Sequence, residues 1–184
     1  MRKLSLKFIP LILFITFLIG CSNKDQQNQL VGISLPDHVP GDVIIGLKEN
    51  VSLEEVADYI LSFNNISIYN IVSFEYYSAL PKERMESLKS SLEAKPYIYS
   101  GNLRVSYIDS LSRIKIELWI GKFGADDRKD WELTRQQLLL THIPYPYQAG
   151  LLKVEYGKEE EWINILSQSN LFSSVELNVI THTH

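Results

Sequence analysis

The sequence predicts an α+β fold made of two successive β-α-β-β-α-β units. Three observations carry that expectation. Runs rich in Ile, Val, Tyr and Phe alternate with the period of a strand. Between them lie runs with apolar residues at helical spacing. The same order of elements then recurs at an offset of 74 residues.

The first strand is Asp42-Val43-Ile44-Ile45-Gly46-Leu47-Lys48, with Val43, Ile45 and Leu47 on one face, and order is expected from Pro36 to Pro40 onward. Ser52-Leu53-Glu54-Glu55 matches the Ser-x-x-Glu capping box, in which each side chain satisfies the other's orphan N–H. Leu53, Val56, Ala57, Ile60 and Leu61 then extend a helix to about Phe63, and Asn64-Asn65 stops it. Ile66 to Leu80 reads as two strands with a reversal near Ser73 to Glu75. Pro81 suits a helix first turn. Met85, Leu88 and Leu92 share a helix face that must end before Pro96. Tyr97 to Ile108 completes the unit as a strand, with a bulge expected at Gly101.

The 74-residue offset places Leu88 on Trp162, Leu92 on Leu166, Pro96 on Asn170, Leu103 on Leu177 and Val105 on Val179. It also sets Ile44-Ile45 over Leu118-Trp119 and Lys48 over Lys122. Arg113 to Phe123 is then the first strand again. A helix capped by Asp126 or Asp127 reaches roughly Thr141, with His142 at its end. Leu151 to Tyr156 is the third strand, and Trp162, Ile165 and Leu166 mark the last helix. Ser173 to Ile180 is the last strand.

Two such units make two tandem ferredoxin-like domains, 36–109 and 113–184, joined by Ser110-Leu111-Ser112. Each is expected to be an antiparallel sheet with both helices on one face. Ile143-Pro144-Tyr145-Pro146-Tyr147 falls on the second strand of the second copy, a sheet edge, where prolines are tolerated. One continuous sheet spanning both copies is the competing architecture. Within the second copy Ile114, Ile116, Leu118 and Ile120 should face the helices, leaving Lys115, Glu117 and Trp119 on the opposite face.

Ahead of this region, Arg2, Lys3 and Lys7 precede an apolar run from Phe8 to Ile19, 12 residues long. That suits a secretory signal and is short of the ~20 residues a membrane-spanning helix needs. Leu18-Ile19-Gly20-Cys21 closes the run on the only cysteine of the chain. This arrangement resembles the bacterial lipoprotein signal peptide. The resemblance implies removal of residues 1–20, diacylation of Cys21 and a location in the cell envelope. Ser22 after the cysteine fits outer-membrane sorting where the organism has two membranes. Residues 21–35 are then a lipidated cysteine and polar tether, Ser22 to Asn28 carrying no periodicity.

Loss of the three basic signal residues moves the net charge from −4 to −7. Nucleic acid binding needs a basic face and is not expected. The resemblance implies that the membrane is a partner through the acyl chains on Cys21; no polybasic patch is present to add to that hold. With Cys21 acylated the folded part has no thiol, so disulfides, thiolate metal sites and a cysteine nucleophile are excluded. The 45% hydrophobic and 11% aromatic content must then supply a packed core.

Chemistry-bearing residues do not assemble into a motif. His38, His142, His182 and His184 are the histidines; the tail pair His182 and His184 has a metal-clipping spacing but reads as an exposed terminus. Asp126, Asp127 and Asp130 lack EF-hand spacing, and with Glu159-Glu160-Glu161 they read as first-turn helix charge. No His-Glu-x-x-His, Gly-x-Ser-x-Gly, Walker-type or Gly-x-Gly-x-x-Gly pattern occurs. The expectation is a protein with no catalytic residues, no metal and no cofactor.

Val39-Pro40-Gly41-Asp42-Val43-Ile44-Ile45-Gly46-Leu47-Lys48, followed by Val51-Ser52-Leu53-Glu54-Glu55, resembles the start of subtilisin propeptides and related peptidase inhibitors. The similarity covers about residues 36–108. It implies a ferredoxin-like domain whose sheet packs on two surface helices of a protease. The family's inhibitory tail would leave at about Ile108-Asp109, where this chain runs on into the second copy. No protease domain is expected after His184, and no inhibitory residue carries over. The functional expectation is a non-catalytic protein- or peptide-binding lipoprotein, with Trp119 the candidate partner contact. The alternative is an inhibitor or chaperone-like regulator of a subtilisin-type protease.

Overall fold

A computed structural model describes residues 37–180. The signal, Cys21, the tether, His182 and His184 lie outside the described residues. Seven strands and four helices follow one another as β1 (His38–Leu47), α1 (Leu53–Leu61), β2 (Ile66–Ser78), α2 (Met85–Glu93), β3 (Arg104–Ile108), β4 (Arg113–Ile120), α3 (Ala125–Gln137), β5 (Leu140–Ile143), β6 (Ala149–Val154), α4 (Glu159–Leu166) and β7 (Phe172–Val179). The fold is α+β, as expected.

The α1 capping box forms. Ser52 Oγ accepts the Glu55 N–H at 3.3 Å, and Glu55 Oε2 accepts the Ser52 N–H at 2.9 Å. At α3 the carboxylate of Asp127 accepts the N–H of Gly124, which is the N-cap. That helix stops at Gln137, short of the expected Thr141, because Leu139 turns left-handed at φ 52°. Leu140–Ile143 then join β2 as a strand, so His142 belongs to a strand and not to a helix end.

The larger correction concerns the sheet. Its order is β3-β4-β2-β6-β1-β7, every pair antiparallel, with β5 also on β2. Residues 36–109 and 113–184 therefore do not each build a sheet; β1 pairs with β6 and β7, and β2 with β4, β5 and β6. The reason lies at Ser73. The expected reversal does not occur; Ser73 adopts φ 66° and the register with β4 shifts between Ile71 and Phe74. Such an irregularity bends and re-phases a strand without ending it. Ile66, Ile68 and Ile71 before it, and Phe74 and Tyr76 after it, are all buried. A 13-residue strand thus serves two sets of neighbours instead of folding back on itself.

Ile114, Ile116, Leu118 and Ile120 are fully buried, as their alternation predicts. They join Val43, Ile45, Leu53, Ile60, Leu88, Leu92, Trp131 and Leu166 in one core cluster. Strand residues of one parity and residues of all four helices meet there, so among the described residues the helices cover one face of the sheet and leave the other open. Pro144 and Pro146 lie in the link between β5 and β6 rather than in a strand. The strand expected from Tyr97 shrinks to β3, preceded by an isolated bridge between Ile98 and Ile120.

Candidate functional site

Alternation along β4 puts Trp119 on the open face, half-buried, between Lys115-Glu117 and the middle of the sheet. Its neighbours Leu118 and Ile120 pair with Phe74 and Ile71, so Trp119 lies opposite the irregular step at Val72-Ser73. Val72 pairs with Ala149, and Leu151 pairs with both Asn70 and Ile44. Trp119, Val72, Ala149, Leu151 and Ile44 therefore form a half-exposed apolar band across the centre of this face. Part of it is a shallow depression of ≈ 260 Å³ lined by Ile44, Asn70, Val72, Ala149, Gly150, Leu151 and Asn178.

Polar pairs flank the band. On the Trp119 side Lys115 meets Glu75 at 2.8 Å and Arg104 meets Glu117 at 4.0 Å. The hydrogen bond to Glu75 raises the Lys115 ammonium above its ordinary value and more than offsets its partial burial. On the other side the buried carboxylate of Asp42 accepts from Lys153 and, at 3.0 Å, from Asn178 Nδ2. Lys153 also lies 5.0 Å from the ring centre of Tyr69. This face therefore has an apolar centre and a charge-paired rim, features that protein interfaces also have.

The other residues singled out in the sequence are dispersed. Asp130 binds Lys95 at 2.9 and 2.8 Å and accepts from Tyr97 Oη at 2.7 Å; Asp127 caps α3, and Asp126 meets Lys129. The Lys95 bonds, then Tyr97, hold the Asp130 carboxyl below its ordinary value. His38 pairs with Val179 at the start of β1. Among the described residues no three His, Cys, Asp or Glu side chains converge as a metal site. Among them also no helix is long and apolar enough to cross a membrane.

A polar cluster that no sequence motif announces lies under α1 and α3. Glu54 accepts from Trp131 Nε1 at 3.0 Å and pairs with Arg135 at 3.1 Å. Close by, the His142 ring packs on Phe74 and Tyr76, and its Nε2 lies 3.5 Å from Gln148 Nε2. The Tyr76 hydroxyl and Gln148 Oε1 are buried with no hydrogen-bond partner among the described residues. The helical spacing that places Glu54 beside the buried Leu53 gave no sign of Trp131, 77 positions away.

Comparison with protein-family models, curated proteins and solved structures finds no match to this chain.

Proposed function

We propose that this chain is a lipid-anchored extracytoplasmic lipoprotein whose globular part binds another protein through the open face of its sheet, without catalysis. The observation that carries the reading is the apolar band running from Trp119 to Ile44, flanked by the Lys115–Glu75 and Arg104–Glu117 pairs at one end and the Asp42–Lys153 pair at the other. Aromatic anchors in a desolvated centre supply much of the energy of protein interfaces, while the rim excludes water. The partner it fits is a folded protein with an apolar patch and a mixed-charge border. The Leu18-Ile19-Gly20-Cys21 sequence supports the anchor. Each buried acyl CH₂ would contribute about 0.8 kcal/mol to membrane attachment.

The architecture we infer is a duplication of a ferredoxin-like unit in which the copies exchange strands. Numbered by place within each unit, strands run fourth-first-third-second on both sides of the sheet, copies alternating. One side reads β3, β4, the latter part of β2, then β5; the other reads β7, β1, β6, then the first part of β2. The separation of Met85 from Glu159, at the starts of α2 and α4, equals the sequence offset of 74. In this arrangement the binding band draws Trp119, Ala149 and Leu151 from one copy and Ile44 and Val72 from the other.

A second reading, regulation of a subtilisin-type protease, is favoured by one feature. The Val39–Glu55 segment that carries the propeptide resemblance forms a strand and a capped helix, and the uncovered sheet is the surface that family presents to its protease. Two experiments test these readings. Mass spectrometry of the membrane-extracted protein should find Cys21 acylated at the mature N-terminus; an unmodified Cys21 contradicts the anchor. Mixing the purified protein with subtilisin-like proteases should leave them active, and inhibition near one-to-one would favour the second reading.

A further inference from the structure

Three strands pair with a single neighbour among the described residues: β3, β5 and β7; the outer side of the first part of β2 makes one bridge, Ile68 to Phe123. An unpaired row of N–H and C=O groups templates the addition of another strand, and sheets normally blunt such edges with short length, Lys, Pro or bulges. β5 has four residues and runs into Pro144-Tyr145-Pro146. β3 has five residues, begins with Arg104, and holds Lys82 4.8 Å from the ring centre of Tyr107. β7 is different. It has eight residues, no Lys, Arg or Pro, and Glu176 as its single charge; its one irregular step, at Ser173, leaves Ser174–Leu177 in regular register with β1.

We propose that two copies of this chain associate by antiparallel pairing of β7 with β7, extending one sheet across a twofold axis. Residues directly opposite in an antiparallel ladder share a face, so the axis must pass between a residue and its own copy. Centring it on Glu176 opposes two carboxylates, which is destabilising. Centring it on Val175 sets Ser173 against Leu177 and leaves Val179, 60% exposed, uncovered. Centring it on Leu177 opposes Leu177 to its copy, Val175 to Val179, and Glu176 to Asn178. Val175 and Leu177 pair in β1 with Ile45 and Val43, both core residues, so these apolar contacts fall on the helix side. Of these three registers, only the one centred on Leu177 both avoids opposed carboxylates and covers Val179.

The helices allow it. α4 packs on both β1 and β7, so it lies over the gap between them. Strands about 4.8 Å apart then place α4 and its copy about 10 Å apart, at the upper end of ordinary interaxial distances. The twofold makes them antiparallel and keeps their Glu160-Glu161 ends apart.

The test uses the full chain in membranes under mild oxidation, with the unsubstituted protein setting the background from Cys21. Leu177→Cys should shift to a disulfide-linked species of twice the chain mass. Glu176→Cys alone should not, because its copy sits on the diagonal, beyond disulfide reach. Glu176→Cys mixed with Asn178→Cys should link. Should Leu177→Cys fold poorly, Val175→Cys mixed with Val179→Cys reports the same register. Linking through Glu176→Cys alone but not Leu177→Cys, or no linking above background at any position, overturns the proposal.

Discussion

The carboxylate of Glu159 accepts the backbone N–H of Gly41, 118 positions earlier in the chain. Glu159 is the first residue of α4 and is 5% exposed; Gly41 sits in β1 at φ 79°, where a side chain would be strained. The bond ties the last helix to the first strand from inside the fold.

Removing that acceptor leaves a backbone donor buried without a partner. Glu159→Ala should cost about 1–3 kcal/mol in urea denaturation, and Glu159→Gln, which keeps an acceptor, less. An unchanged midpoint for Glu159→Ala would refute the role given to this bond. Burial pushes this carboxyl up, yet the N–H groups of Gly41, Glu159 and Gly157 outweigh it and hold it below its ordinary value. Its contribution is therefore complete above the unfolded glutamate value, about 4.3, and is lost as the pH falls through the lower folded value.

His142 gives a second pH dependence, in a higher window. Burial lowers its imidazole foremost, and Glu54 and Glu55 only partly restore it. A base depressed on folding is protonated more readily in the unfolded chain. The stability it confers is complete above about pH 6.5 and declines as the pH falls from there to the folded value. Chemical denaturation at pH 7.5 and 5.5 should show this loss, and His142→Gln should flatten it. A His142→Gln protein with the same slope would remove His142 as its source.

Tyr76 is fully buried with no partner for its hydroxyl among the described residues. Burial, with Glu54 adding to it, raises its phenol well above the usual value, so it stays neutral. Deleting an unpartnered buried hydroxyl removes only a desolvation cost. Tyr76→Phe should leave the melting temperature unchanged or raise it. A loss above about 1 kcal/mol would show that the hydroxyl has a partner.

Ser73 tests the continuous β2 strand. Its left-handed backbone accepts glycine freely and a β-branched residue poorly. Ser73→Gly should be close to neutral, whereas Ser73→Val should destabilise by about 1–3 kcal/mol. Equal stability of the two would argue against the left-handed step.

Which parts of this fold could be read from the chain follows from the range of each cause. The capping box at Ser52, the alternation along β4 and the placing of Trp119 off the core depend on residues a few positions apart, and they were legible. The end of α3 was not. Leu138-Leu139-Leu140 continues the apolar pattern, and no glycine announces the left-handed Leu139. Nor was the passage through Ser73, since Ile66–Ser78 suits a strand throughout and only its distant partners decide whether it turns back. For the same reason Trp119 was visible as a candidate, while Ile44, Val72, Ala149 and Leu151 joined it only through strand register.

The open face can be tested directly in the protein's own membranes. A photo-crosslinking residue is placed at Trp119, and at Leu133 as a control; Leu133 lies on α3, 57% exposed. Adducts are identified by mass spectrometry, and the purified partner is then titrated against wild type and Trp119→Lys. A protein adduct should form from position 119 and not from 133, with at least about ten-fold weaker binding by Trp119→Lys, as loss of an aromatic anchor implies. Equal adducts from both positions, or unchanged affinity in Trp119→Lys, would contradict binding through the open face.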